Sequence, residues 1–416
     1  MSGTLHDVER RVGRLRATWL AFAMVLLLCA CSRDPSPPPG TDVDAAGIPV
    51  TVSDSAGIPI TLSTDVDTTY ATLSPEPVVS LGGANAEGPT QFFRVTNVQL
   101  DEDGQIWVSD SQSGEVRVFH ADGEHSFTEG RRGRGPGEFT VVRVLGAARD
   151  HFVRAVDQAD GRLAIYNMHG GLREVGRLNV GDGASPRPFE VYPDGSILGQ
   201  VPIVLPSDAL EEGQLLPSEV RLMRFSQEEG PRSLVEGVAG PTWLWTGRTL
   251  VPIPFTVNAA FALRGDSLHL ASGPSFRVRV YDGDQVVAIY GVDREPAPVT
   301  SKEVEAYREL VMESYPEEQH DVTLAALDHP EVPSVLPAYT RLVVSAEGDL
   351  WAGRYSPDTP WEVFDSEGRL QGGVLMPPDF YPMSIRDDRV AGVWRDELGV
   401  EYVRVYAVRQ RLSDAG

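Results

Sequence analysis

Asp103-Gly104-Gln105-Ile106-Trp107-Val108-Ser109-Asp110, followed by Val116-Arg117-Val118-Phe119, has a second copy further along the chain. Shifting the sequence by 47 residues brings Asp103 onto Asp150, Asp110 onto Asp157, Gly114 onto Gly161 and Gly123 onto Gly170. The same shift puts Val116 on Leu163, Val118 on Ile165 and Phe119 on Tyr166. Upstream, Gly88-Pro89 falls on Gly135-Pro136 and Phe92 on Phe139. Glycine, aspartate and apolar positions keep their class over one unbroken offset, which marks an internal structural repeat.

Each unit has the pattern of β structure. Asp103-Gly104 and Asp122-Gly123 are turn dipeptides, Ile106-Trp107-Val108 is a short apolar strand, and Val116 to Phe119 alternates. Val95–Leu100 and His125–Glu129 supply two further strands. Four strands in such a period is the size of one β-propeller blade. The apolar-aromatic end of the third strand recurs at Phe119, Tyr166, Phe225, Tyr281, Phe364 and Tyr406, at spacings of 47, 59, 56, 83 and 42. This predicts an all-β fold, a six-bladed β-propeller of four-stranded antiparallel blades over residues 56–412. The long spacing holds a short helical insertion between blades four and five, residues 294–337. Thr300-Ser301-Lys302-Glu303 there is a capping-box pattern, and Val304, Tyr307, Leu310 and Val311 fall on one helical face. The last unit lacks a fourth strand, and Glu76–Leu81 is an unassigned strand before the first repeat. It is expected to complete blade six and close the ring.

The pattern Asp-Gly-x-Ile-Trp-Val-x-Asp, the Val-x-Val-Phe strand and Gly133-Arg134-Gly135-Pro136-Gly137-Glu138-Phe139 resemble the NHL-type six-bladed β-propellers of bacterial envelope proteins. The match is best over 82–178 and extends loosely over about 76–410. In the third unit Pro186-Arg187-Pro188-Phe189 replaces the Gly-Pro motif. The resemblance implies the fold. It leaves function open, because such propellers include binding platforms, lactonases and lyases.

The N-terminus carries an address. Arg10, Arg11, Arg14 and Arg16 precede an apolar run over 17–29, which is too short to span a bilayer as a helix. Leu28-Cys29-Ala30-Cys31 resembles the bacterial lipobox. Residues 1–30 are therefore expected to be a lipoprotein signal peptide, with Cys31 the lipidated residue. Residues 31–55 are expected to be a proline-rich linker, and Arg33 in place of an aspartate points to the outer membrane, facing the periplasm or the cell surface. Both cysteines of the chain lie at this processing point, which excludes an internal disulfide and a cysteine nucleophile in the mature domain.

The formal charge is −24, and removing the leader would take it to −26. Such a chain repels phosphate backbones, so no nucleic-acid partner is expected. Attachment to the membrane would rest on acyl chains. Lys302 is the sole lysine among 36 basic residues, but the arginines are spread over the whole chain, which fits codon bias.

Ligands of propellers gather at the central channel. Arg131, Arg132 and Arg134 cluster in one Gly-Pro loop, and the innermost strands would present Arg94, Arg143, Glu190, Asn258 and Arg341. Together these form a candidate pocket for a small anion gripped by guanidinium groups. The competing account is solvated loop arginines paired with Glu138 and Asp110. Asp110 and Asp157 recur in register, which suits a structural N–H acceptor better than a catalytic acid. Among eight histidines there is no His-x-His or His-Glu-x-x-His pattern, and no nucleophile elbow, P-loop or dinucleotide fingerprint occurs. The expected role is a monomeric, non-catalytic binding or interaction module without cofactor. Its partner would be an envelope protein or a small anionic ligand. The alternative is a lactonase-like metal-dependent hydrolase or lyase whose divalent cation would use Glu190 and Asn258.

Overall fold

The computed structural model describes residues 41–43, 46–149, 152–178, 186–202 and 210–409. Cys31 and the rest of the expected leader lie outside them. Among the described residues the strands form six sheets with few helices. Sheet one runs in the order Val95–Leu100, Ile106–Asp110, Glu115–Phe119, His125–Gly130, and sheet two in the order Val142–Arg149, Phe152–Asp157, Arg162–Asn167, Leu172–Arg177. Both are antiparallel throughout. Sheet three (Arg187–Val191, Ile197–Pro202, Leu215–Ser226, Gly230–Trp245, Leu250–Pro252) carries a long central ribbon and a fifth strand. Sheet five is Tyr339–Val344, Leu350–Arg354, Trp361–Phe364 and Leu370–Val374. All six recurring aromatics, Phe119 to Tyr406, fall in the third strand of their sheets.

The first strands of the sheets touch one another in a cycle. Val95–Leu100 meets Val142–Arg149, which meets Arg187–Val191. That strand meets Ala260–Arg264, then Tyr339–Val344, then Phe380–Arg386, which returns to Val95–Leu100. This is the arrangement of a β-propeller, with the first strands innermost. Apolar clusters fill the seams between neighbouring sheets: Trp107, Val118, Val142 and Ala164 between sheets one and two, and Leu145, Val156, Ile197 and Phe225 between two and three.

The repeat has a chemical cause. Asp110 accepts from the backbone N–H of Phe93, Arg94 and Gln112. Asp157 accepts from Thr140, Val141 and Ala159, the same positions one repeat on. Each aspartate is fully buried and ties the loop that enters a sheet to the turn that leaves its second strand. The third strand adds an arginine. Arg117 donates to the carbonyls of Pro89 and Gln91, and Arg162 to those of Gly133 and Gly135. The Gly-Pro loops are thus pinned by a buried carboxylate and a guanidinium, which satisfies backbone groups that no strand pairs.

Sheet six comprises Phe380–Arg386, Arg389–Arg395 and Glu401–Arg409, and its outer strand comes from the other end of the chain. Val79–Gly82 pairs antiparallel with Glu401–Arg409, with Leu81 opposite Val403. Sheet four (Ala260–Arg264, Ser267–Ala271, Arg277–Asp282, Gln285–Asp293) is extended differently. Ile58–Thr64 adds in parallel to Gln285–Asp293, and Pro49–Ser55 and Thr41–Val43 follow outward. Residues 49–55, expected as linker, are therefore strand. Between these two additions the chain crosses sheet five, where Thr69 bridges Gly373, and Thr72–Leu73 joins the end of Glu401–Arg409. The N-terminal segment laces three consecutive sheets together at their rims.

The insertion contains α1 (Ser301–Ser314) and α2 (Glu317–Leu324). Thr300 caps α1, with its side chain accepting from Lys302 N–H and Glu303 accepting from Thr300 N–H. Val311 is fully buried and Val304 and Tyr307 half-buried. Leu310, expected on the same face, is 52% exposed. The seven-residue spacing of Val304 and Val311 defines the buried line, and Leu310 lies one position off it. No described helix is long and apolar enough to cross a membrane.

Candidate functional site

The six innermost strands surround a cavity of about 290 Å³. Arg143 of sheet two, Glu190 of sheet three, Asn258 just before the first strand of sheet four and Arg341 of sheet five all line it. Thr96, Asn97 and Gln99 come from sheet one, Phe189 and Gln200 from sheet three, Phe261 from sheet four, and Met383 and Ser384 from sheet six.

Local backbone irregularity aims several of these side chains. Innermost strands of four sheets carry register shifts where one residue is left unpaired: Thr96, Phe189, Thr340 and Met383. All four residues line the cavity. A bulge turns a side chain out of the strict alternation of a strand, and bulges concentrate beside functional sites.

The electrostatics are uneven. The lining holds two guanidinium groups and one carboxylate, with the rest amides, hydroxyls and apolar groups. Arg143 donates to the carbonyl of Thr96 at 3.2 Å and lies over the ring of Phe189, 5.5 Å from its centroid. Its Nε is buried without a hydrogen-bond partner. Burial away from water, then the Arg341 charge, pull its pKa down to about 10, and the Glu190 charge acts the other way. Arg341 lies over Tyr381 at 4.9 Å, and burial lowers its pKa as well. Among the described residues neither arginine forms a salt bridge with a carboxylate. Two guanidinium groups against one carboxylate, in a confined, amide-rich space, are equipped to hold an anion.

The remaining expected site residues lie elsewhere. Arg94 is exposed and outside the cavity, and its backbone serves Asp110 and Ser111. Counting back one repeat from Arg143 and two from Glu190 gives Thr96, so the repeat offset itself contained the correct residue. Arg131 is bound to Glu138 through Nε at 2.9 Å and Nη2 at 2.6 Å. Arg132 donates to the carbonyl of Gln112. Arg134 is exposed and borders a separate cleft of about 230 Å³ under the Gly-Pro loop. These three arginines do not join Arg143 and Arg341. The Phe189–Phe261 pair, edge to face at 4.6 Å, had no signal in the sequence beyond apolar character. A larger cleft of about 800 Å³ opens between the outer parts of sheets two and three. Its lining mixes Arg154 and Arg177 with Glu174, Asp194 and Glu228, so positive charge does not prevail there.

A divalent cation does not fit the channel residues. Glu190 is the one carboxylate among the described lining residues, and Asn258 is one of several neutral amides there. Hard cations take several oxygen ligands, and the two arginines oppose positive charge. No group of three or more His, Cys, Asp or Glu side chains able to hold a metal occurs among the described residues.

No family model matches the chain, and no curated protein is similar to it in sequence. Solved structures share its outline. A member of the DUF4221 family from Bacteroides vulgatus has TM-score 0.48 at 9% identity, over 82% of this chain and 100% of that one. Virginiamycin B lyase from Staphylococcus aureus has TM-score 0.42 at 11% identity, over 80% and 98%. The calcium-binding protein regucalcin from Agrobacterium tumefaciens has TM-score 0.39 at 12% identity, over 83% and 97%. At this level of similarity they assign no chemistry to this chain.

Proposed function

We propose that this chain is a lipid-anchored β-propeller of six blades in the bacterial envelope, acting as a non-catalytic binding module for a small anion. The observation that carries the reading is the convergence of Arg143 and Arg341 on one cavity whose single carboxylate among the described residues, Glu190, is salt-bridged to neither of them. Desolvated guanidinium groups are costly without a counterion, and an anion offsets that cost. The leader pattern and Cys31 supply the address, and the segment 32–40 the tether. In a two-membrane cell the outer membrane is the destination. A hydrolase or lyase built on a cation at Glu190 and Asn258 gains no support from the lining.

The test is thermal shift and titration of the purified full chain with small organic acids, beside calcium, magnesium and zinc. The reading expects stabilisation by acids that is weakened in R143Q and in R341Q and lost when both substitutions are combined. Stoichiometric metal that disappears in E190A would overturn it in favour of metal chemistry. The address is tested separately. Cys31→Ser should release the protein from the membrane fraction, and unchanged fractionation and mass would refute lipidation.

A further inference from the structure

The two channel arginines occupy related positions. They come from sheets two and five, so two sheets separate them on either side of the ring. Each lies over an aromatic ring of the next sheet in the cycle, Arg143 over Phe189 and Arg341 over Tyr381. Advancing three sheets around a ring of six carries the strand of Arg143 onto that of Arg341, although the stacked aromatics differ in register, Phe189 being the bulged residue of its strand and Tyr381 lying two residues before the bulged Met383. Stacking and the hydrogen bond to the Thr96 carbonyl hold the Arg143 guanidinium, and stacking on Tyr381 holds that of Arg341. Gln99, Gln200 and Asn258 line the space with neutral amides.

Resting on the reading of the channel as an anion site, we propose that its ligand is a two-headed organic acid, a dicarboxylate, gripped at one end by Arg143 and at the other by Arg341. Glu190 is the one negative charge among the described lining residues and is salt-bridged to neither arginine, so a single carboxylate bound at either wall leaves the opposite guanidinium without a carboxylate in contact. A diacid supplies both, and the amides between accept or donate to whatever polar groups the connecting chain carries. The cavity, about 290 Å³, lies at the small end of ligand pockets, which limits the ligand to a short chain or a single ring.

The experiment is a calorimetric titration of the full chain with straight-chain dicarboxylates of three to six carbons. Monocarboxylates of the same lengths and inorganic phosphate run alongside. The proposal expects one dicarboxylate length to bind at least about tenfold tighter than its monocarboxylate partner. It also expects R143Q and R341Q each to erase that preference while a weaker monocarboxylate affinity persists, and melting temperatures of both variants show whether they are folded. The wild-type series stands even if a variant fails to fold. Equal affinity for monoacids and diacids overturns the proposal and leaves the anion-site reading intact. So does phosphate binding tighter than every diacid, because one compact anion then serves both arginines. If no anion binds, the anion-site reading falls and the proposal with it.

Discussion

Leu81 stands opposite Val403 in the ladder of sheet six, so a strand from the N-terminal part of the chain completes a sheet built from its C-terminal part. Leu81 is 6% exposed and Val403 fully buried, and both belong to one apolar cluster with Val98, Ile106 and Phe119 of sheet one. The pair therefore closes a sheet and packs the seam beside it. Deleting 76–82 is expected to lower the melting temperature sharply, because it leaves a strand edge unpaired and opens this cluster. Leu81→Ala alone should cost about 2–5 kcal/mol in a denaturant titration. Deleting 32–40 should leave stability within about 0.5 kcal/mol. Comparable losses for the two deletions would contradict the closing role.

Asp157 ties three backbone N–H groups and lies 2.6 Å from Arg162. Burial pushes its carboxyl up. The hydrogen bonds from Thr140, Ala159 and Val141 and the Arg162 charge outweigh that and hold its pKa below 3.8. A depressed carboxyl stabilises the fold above its unfolded pKa and loses that contribution as pH falls through the folded one. Asp157→Ala should cost about 3–5 kcal/mol, because the Arg162 guanidinium and the loop amides lose their partner together. Asp157→Asn should recover part of the loop bonding. Its stability should fall less steeply than wild type below pH 4. A neutral Asp157→Ala would mean that the repeated aspartate does not hold the Gly-Pro loop.

His269 is buried, with Nδ1 2.9 Å from the hydroxyl of Tyr290 and Nε2 without a partner. Burial, then the Arg264 charge, lower its pKa to about 3. The unfolded chain takes up this proton near pH 6.5, and the folded chain resists it. The contribution is complete above pH 6.5 and declines towards pH 3, at up to about 1.4 kcal/mol per pH unit. His269→Gln should flatten the stability profile between pH 6 and pH 4. An identical acid slope in wild type and variant would assign that loss to carboxylates instead.

The first two sheets were legible in the sequence because they share a period, a buried aspartate and a third-strand aromatic. The outer addition to sheet four was not. Its partners, Ile58–Thr64 and Gln285–Asp293, are distant in sequence and pair in parallel, and a strand's own pattern does not name its neighbour. The channel was half legible. Arg143, Glu190, Asn258 and Arg341 follow from placing charged and amide residues at the starts of innermost strands. Phe189, Thr340 and Met383 reach the cavity through bulges, which break alternation at single positions and leave no mark in composition. Arg94 carries the charge, but Thr96 is the residue in register with Arg143.

The insertion bears on the channel through Phe255. This buried residue has φ +61°, in the left-handed region that non-glycine residues seldom occupy. Its ring lies between Tyr307 of α1, at 6.0 Å, and Tyr355 of the segment after sheet five's second strand, at 6.1 Å. The packing holds the backbone there, three residues before Asn258. Phe255→Gly removes the strain, worth about 1–3 kcal/mol, and also the buried ring, worth about 3–5 kcal/mol. The ring term wins, so a net loss of about 2 kcal/mol is expected in a denaturant titration. Tyr307→Ala removes one side of the clamp and leaves the strain. Hydrogen exchange should then quicken over 253–258 in both variants, while the amides of Val142–Leu145 in sheet two keep their protection. Unchanged exchange at 253–258 in Tyr307→Ala would show that α1 does not hold this loop.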